Sequence, residues 1–210
     1  MSGTGGGSGR NRGLSLEPLR FLLRPLVRLF SALGVGPDAI TALGCALSLF
    51  AAALFAVGSV RVAGVTMLLG GMFDALDGAV AREMGRTSGF GAFLDSTLDR
   101  LAESAILVGL VFLFAASGRP YAALVAGAAM TFSLLTSYTR SRAESLGYDC
   151  KVGLLGRAGR VVILGVSAVA GAPLAGAAIV AVGAAVTTLQ RVLHVRRLHR
   201  YHPNGAPGEG

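Results

Sequence analysis

Apolar residues dominate six stretches of the chain, and short turns rich in Gly, Pro, Ser and charged residues separate these stretches. An apolar run of about twenty residues is typical of a helix that crosses a bilayer. The pattern therefore predicts an all-α integral membrane protein with six transmembrane helices. The predicted spans are residues 38–59, 62–84, 91–116, 120–140, 158–172 and 174–194.

A different pattern precedes the first span. Residues 14–33 mix apolar and basic residues, and Arg20, Arg24 and Arg28 share one helix face opposite a face rich in leucine. Such a helix lies in the interface of an anionic membrane leaflet. A soluble helix that binds a partner protein has a similar pattern and is the alternative. We expect an N-terminal amphipathic helix in the membrane interface.

Two terminal segments differ from the rest in composition, because they are polar and rich in glycine. Such segments bury too little apolar surface to fold. The sequence thus predicts four parts. They are a disordered head (1–13), the amphipathic juxtamembrane helix (14–33), a six-helix domain (34–200) and a disordered tail (201–210).

Composition supports the membrane class and limits the possible partners. Of the 210 residues, 53% are hydrophobic and 14% charged, and the mean hydropathy is +0.65. The net charge of +8 raises the question of nucleic acid, but no aromatic and basic surface accompanies it. The basic residues instead follow the ends of apolar runs, which favours membrane lipids and phosphorylated ligands over nucleic acid.

The distribution of basic residues also predicts the orientation. Only Arg61 and Arg119 lie in turns on one side of the six predicted spans, and all other lysines and arginines lie on the opposite side or in the tails. Cytoplasmic loops carry the excess of positive charge, so we expect both termini in the cytosol. Abundant Arg, Gly and Ala suggest a GC-rich bacterium, and hence a multi-pass protein of the bacterial plasma (inner) membrane.

Four aspartates stand out inside this apolar sequence. Asp74 and Asp77 share one face of a helix, and Asp95 and Asp99, spaced by four, share a face of the next. If the turn between them folds back, four carboxylates converge, and they need cations between them. Oxygen ligands favour Mg²⁺, Mn²⁺ or Ca²⁺ over Zn²⁺, and such centres typically serve phosphate chemistry. Structural ion pairs at a helix end are the alternative.

The residues around the aspartates leave room for a phosphorylated ligand. Gly78 and Ala81 leave room for a ligand beside the backbone, and Arg82 offers a forked cation to a phosphate. Asp38 is expected to cap the first span or to place helix amides near an anionic group. Ser88 either donates to a phosphate or simply forms the turn.

The four aspartates and the residues between them form the pattern D-x-x-D-G-x-x-A-R, eight residues, G-x-x-x-D-x-x-x-D. This pattern resembles the signature of the CDP-alcohol phosphatidyltransferases, and the resemblance covers roughly residues 30–200. It implies that 34–200 is a catalytic domain that transfers the phosphatidyl group of CDP-diacylglycerol to an alcohol and releases CMP. It also implies a homodimer. The matched positions are Asp74, Asp77, Gly78, Ala81, Arg82, Gly91, Asp95 and Asp99.

The resemblance also implies residue roles. The metal ligands would be Asp74, Asp77, Asp95 and Asp99, holding two Mg²⁺ ions or, alternatively, Mn²⁺. Asp99 would also be the general base that takes the proton of the acceptor hydroxyl. The residues implied to bind CDP-diacylglycerol are Pro37, Asp38, Ala39, Ile40, Gly78, Ala81, Arg82 and Ser88.

The second substrate is expected to be a soluble, phosphorylated acceptor, because basic residues cluster at the cytosolic ends of the last three spans. Segments 137–144 and 190–194 resemble the branch of the family that uses inositol phosphate. That branch often has acids beside the arginines of the fifth span, whereas this chain has glycines there. Inositol phosphate is favoured, with glycerol 3-phosphate as the alternative. The implied phosphate ligands are Arg140, Arg160 and Arg191, with Arg157 as a substitute.

Two other function classes also place acids in membrane helices. A divalent-cation transporter would distribute its acids across the membrane and have an outer vestibule. A structural membrane subunit leaves the fixed spacing of the aspartates unexplained. Because the acids cluster near one face and the outer turns are short, we favour the enzyme.

Overall fold

A computed structural model describes residues 25–28, 30, 34–85 and 88–201, and all regular structure in these ranges is α-helical. The all-α prediction is therefore confirmed. The predicted head and tail and most of the amphipathic helix lie outside the described residues, although 25–28 and 30 are helical. The helices are α1 (Pro37–Ala56), α2 (Val60–Glu83), α3 (Gly89–Ala116), α4 (Pro120–Ser145), α5 (Arg157–Val169) and α6 (Pro173–Tyr201).

Proline and glycine set several of the helix ends. Pro37, Pro120 and Pro173 each stand at the first position of a helix, where the missing N–H is no loss. Gly118 and Gly171 occupy the turns before α4 and α6 with φ of 68° and 78°, a left-handed conformation that strains other residues. The predicted turns in this half of the chain therefore lie where these signals placed them.

Among the described residues, the helices long and apolar enough to cross a membrane are α1, α2, α4 and α6. The first half of α3 carries acidic and basic residues, and its uncharged run is limited to 104–116. Helix α5 has only 13 residues, about 20 Å at 1.5 Å per residue, against about 30 Å of hydrocarbon. The protein is thus a multi-pass membrane protein, and the count of six spans stays a prediction.

Small residues allow the helices to approach closely. A Cβ atom on Gly64 of α2 would lie 2.8 Å from the Gly165 carbonyl oxygen and 2.9 Å from Ala168 Cβ in α5. Gly44 of α1 likewise lies close to Gly70 of α2. A Cβ atom on Gly44 would lie 3.2 Å from the Gly70 carbonyl oxygen. Close backbone contact is how apolar helices associate in lipid. The result is that α1 packs on both α2 and α3, and α5 packs on α2.

Gly64→Ala should lower the thermal stability of the detergent-solubilised protein, because overpacking of a tight contact typically costs about 1–3 kcal/mol. Gly127→Ala in α4 is the matched control. A Cβ there meets no atom within 4 Å, so helix propensity should raise the melting temperature. Equal shifts for the two variants would contradict the packing role of Gly64.

Candidate active site

The C-terminal half of α2 and the N-terminal half of α3 bring three of the four predicted aspartates together. Oxygen atoms of Asp74, Asp95 and Asp99 all lie within 4.8 Å of one another, and the three side chains are half-buried. Like charges at this separation are unfavourable unless cations lie among them. Three carboxylates offer oxygen ligands alone, and such ligands suit a hard divalent cation such as Mg²⁺ or Mn²⁺.

Asp77 lies beside this cluster but has other partners. It is 5% exposed, and its Oδ1 accepts a hydrogen bond from the Gly78 amide. Its Oδ2 accepts from Thr41 Oγ1 at 2.6 Å. The Thr41 hydroxyl also lies 3.1 Å from the Pro37 carbonyl; with one proton to donate, it favours the shorter contact. The metal role of Asp77 stays a prediction.

Arg157, the first residue of α5, provides positive charge at the cluster. Its Nη1 donates to Asp74 Oδ2, and its Nη2 lies 3.2 Å from Asp74 Oδ1 and 2.8 Å from Asp99 Oδ1. Its Nε is buried and has no hydrogen-bond partner among the described residues. One guanidinium balances only part of the charge of three carboxylates, so the cluster still favours added cations.

A cavity of about 200 Å³ opens beside Asp95 and Asp77, between the starts of α1 and α3 and the end of α2. It brings together most of the residues predicted to bind CDP-diacylglycerol. Ala39 does not line it, and Ile40 is buried in an apolar cluster with Leu76 and Val80. The predicted residues that line it are Pro37, Asp38, Gly78, Ala81, Arg82 and Ser88.

The cavity depends on how α1 and α3 begin. Asp38 is in the first turn of α1, and the N-cap is Gly36, so the prediction that Asp38 caps this helix was wrong. Ser88 is the N-cap of α3, and its Oγ accepts from the Gly91 amide at 2.9 Å. A Cβ on Gly91 would lie 3.6 Å from Asp38 Oδ1, so this glycine lets the two helix starts approach. Ser88 therefore caps the helix and lines the cavity.

The other three arginines predicted to bind the acceptor have different surroundings. Arg140 is exposed and pairs with Glu144 at 2.8 Å. Arg191, 7% exposed, donates from Nε to the Val152 carbonyl at 3.0 Å and from Nη1 to the Thr136 carbonyl. Arg160 is 1% exposed and bound to Glu103. Of the four, Arg157 contacts the aspartates, and the acceptor roles of the others stay predictions.

Sequence reasoning missed two residues of this region, Thr41 and Glu103. Thr41 lies one turn after Pro37 and lines both the cavity and the small polar gap that Asp74 and Asp99 border. No sequence pattern separates its hydroxyl from other hydroxyls in apolar helices. Glu103 did have a signal, because an acid within an apolar stretch marks a functional site.

Membrane helices, a carboxylate cluster and an adjoining cavity fit a membrane-embedded enzyme that uses divalent metal for phosphate chemistry. The family model "CDP-alcohol phosphatidyltransferase" matches residues 35–190. The chain belongs to this family and is a transferase of phospholipid biosynthesis. This membership removes the alternatives of a cation transporter and a structural subunit.

Similar proteins have related names. A phosphatidylinositol phosphate synthase of Mycobacteroides abscessus is 37% identical over 197 residues, 87% of each chain. An archaetidylinositol phosphate synthase of Methanothermobacter thermautotrophicus is 39% identical over 154 residues, 70% of this chain and 76% of its own. The crystal structure of Mycobacterium tuberculosis phosphatidylinositol phosphate synthase with CDP-DAG bound has a TM-score of 0.75 and 31% identity, over 81% of this chain and 92% of that one. Another structure of that enzyme, in complex with manganese and citrate, also has a TM-score of 0.75, with 31% identity, over 82% of this chain and 88% of that one.

Thr41→Val should lower kcat/KM for CMP release from CDP-diacylglycerol about tenfold, because a hydrogen bond to a charged group contributes about 1.5–3 kcal/mol. The substitution keeps the shape of the side chain and removes the donor to Asp77. Thr41→Ser keeps the donor and should stay near the wild-type rate. If the valine and serine variants have the same activity, Thr41 does not orient Asp77.

Proposed function

We propose that this protein transfers the phosphatidyl group of CDP-diacylglycerol to inositol phosphate and releases CMP. The observation that carries the proposal is the position of Arg157, whose Nη2 lies 2.8 Å from Asp99 Oδ1. A cation that binds phosphate thus lies beside the predicted general base. The names of the similar synthases support the same acceptor.

The donor nucleotide is proposed to occupy the cavity of about 200 Å³. Gly78 and Ala81 leave the wall open there, and Arg82 presents a guanidinium that suits a phosphate. Pro37 and Asp38 supply the start of α1. Ala39 and Ile40, the next residues of α1, are proposed to contribute through the position of this first helical turn; the Ile40 side chain is buried. The crystal structure of the mycobacterial synthase with CDP-DAG bound supports a family site for this donor.

The carboxylates Asp74, Asp77, Asp95 and Asp99 are proposed to hold two Mg²⁺ ions, with Mn²⁺ as a substitute. The mycobacterial complex with manganese supports this choice. Bound divalent cations offset the negative charge of a diphosphate and of the developing transition state.

The proposed reaction is a direct displacement at phosphorus. Asp99 takes the proton of the acceptor hydroxyl as its oxygen forms a bond to the phosphatidyl phosphorus. The bond from this phosphorus to the oxygen of CMP breaks, and CMP leaves. Arg157 orients the acceptor through its phosphate, and Arg140 and Arg191 are proposed to add positive charge on the acceptor side.

Glycerol 3-phosphate is the second candidate acceptor. The observation that favours it is the absence of acids at Gly156 and Gly159, where the inositol-phosphate branch often has them. Both acceptors carry a phosphate, so both fit the position of Arg157. Cationic acceptors such as choline carry no phosphate and do not fit this position.

The proposal extends to the setting of the enzyme. We infer six spans in a bacterial inner membrane, with both termini and the carboxylates on the cytosolic side, because Arg61 and Arg119 alone mark the opposite turns. A homodimer is expected from the family. The exposed apolar residues of α1, α4 and α6 suit lipid or a second copy.

An acceptor panel with the purified protein tests the function. We expect CMP release from CDP-diacylglycerol with inositol phosphate and much less with inositol or serine, because these two lack a phosphate for Arg157 to bind. We also expect less release with glycerol 3-phosphate, because the similar proteins are named as synthases of inositol phosphate lipids. Reaction with unphosphorylated acceptors only would contradict the proposal. A preference for glycerol 3-phosphate would select the second candidate.

Asp99→Asn should lower kcat by about 10²–10⁴, the usual contribution of a general base, while CDP-diacylglycerol still binds. Asp149→Asn is the matched control, since Asp149 pairs with Lys151 on an exposed loop and its loss should leave the rate unchanged. Turnover by Asp99→Asn near the wild-type rate would remove Asp99 from the base role.

A further inference from the structure

Glu103 and Arg160 form a buried ion pair between α3 and α5. Arg160 Nε donates to Glu103 Oε1 at 2.5 Å, and Nη2 donates to Oε2 at 2.8 Å. Its Nη1 lies 3.4 Å from the Leu155 carbonyl oxygen. The side chains are 1% and 6% exposed. Each nitrogen of the Arg160 side chain therefore has a protein partner.

The pair lies one helical turn from the carboxylate cluster on both helices. Glu103 follows Asp99 by four residues in α3, and Arg160 follows Arg157 by three in α5. Two ion pairs thus join the same two helices, Asp99 with Arg157 and, deeper in the bundle, Glu103 with Arg160. The deeper pair is buried, whereas Arg157 is 26% exposed and borders the cluster.

The start of α5 has little else to fix it against α3. Helix α5 packs mainly on α2 and α6, and the residues before it are bound to α6, where Leu154 N–H donates to Gln190 Oε1 and Leu155 N–H to Thr187 Oγ1. Long arginine side chains therefore span the distance from α5 to α3. A bidentate arginine–carboxylate pair fixes both distance and orientation.

We propose that Glu103 is a positioning residue for the carboxylate cluster: by fixing Arg160, it holds the start of α5 so that Arg157 reaches Asp74 and Asp99. The proposal rests on the proposed role of this cluster as the metal site. In this proposal, Glu103 itself contacts neither substrate nor metal. Because Arg157 binds oxygens of Asp74 and Asp99 that a cation also needs, the affinity of the cluster for Mn²⁺ reports where Arg157 lies.

The test uses the full-length protein in detergent, with Mn²⁺ binding followed by electron paramagnetic resonance. The double variant E103L/R160M replaces the buried pair by apolar residues of similar volume, a change that folded proteins tolerate. It leaves net charge unchanged, so a direct effect of charge on Mn²⁺ is small. Arg157→Gln provides the second arm of a double-mutant cycle.

Loss of the pair should release Arg157 and lower the Mn²⁺ dissociation constant about fivefold, and Arg157→Gln should lower it at least as much. In the Arg157→Gln background, replacement of the pair should change the constant by less than about twofold. Arg160→Lys keeps the charge and loses the forked guanidinium, so it should shift Mn²⁺ affinity in the same direction. This variant tests the proposal if the double variant does not fold. Asp149→Asn with Lys151→Gln, an exposed pair, is the control and should change nothing.

The proposal is overturned if the pair replacement changes Mn²⁺ affinity equally with and without Arg157, since that is a structural effect not exerted through Arg157. It is also overturned if affinity in a folded variant stays at the wild-type value. Mn²⁺ binding needs no acceptor, so failure of the acceptor panel and failure of this cycle are separate results.

Discussion

The repulsion between carboxylates in apolar surroundings is the constraint on which the rest of the site depends. Asp74, Asp95 and Asp99 have oxygens within 4.8 Å of one another at one end of a bundle of apolar helices. Such a cluster persists only where cations approach it, because charged groups at membrane depth are costly. Arg157 supplies one positive charge, and the remaining negative charge favours a divalent cation at the cluster.

The helices that carry these charges meet because they have few side chains where they cross. Gly44 faces Gly70, and Gly91 stands beside Asp38, so α1 approaches both α2 and α3 near the aspartates. The same lack of side chains continues into the cavity at Gly78. Small residues therefore have two consequences here, close helix packing and an open space in which a nucleotide fits.

Much of the fold and the helix faces of the aspartates follow from local sequence. The spacings from Asp74 to Asp77 and from Asp95 to Asp99 indicate shared helix faces, so the approach of Asp74 to Asp95 and Asp99 was predictable, whereas the separate partners of Asp77 were not. The partners of the arginines were not, because Arg160 and its partner Glu103 are 57 residues apart, a separation that no helical spacing records. Arg157 and Arg160 look equivalent in sequence, yet one reaches the cluster and the other is buried.

This difference bears on how one site distinguishes two anionic substrates. In the proposed reaction, Arg82 serves the donor from the cavity wall, while Arg157 serves the acceptor from the start of α5. Asp99 lies within reach of Arg157 but does not line the donor cavity. Because the two cations belong to different helices and flank the cluster, the donor phosphate and acceptor phosphate need not compete for one guanidinium. In that reaction the acceptor preference depends on where α5 begins, so a change that moves this short helix alters both the acceptor side and the metal affinity of the cluster, because Arg157 pairs with Asp74 and Asp99.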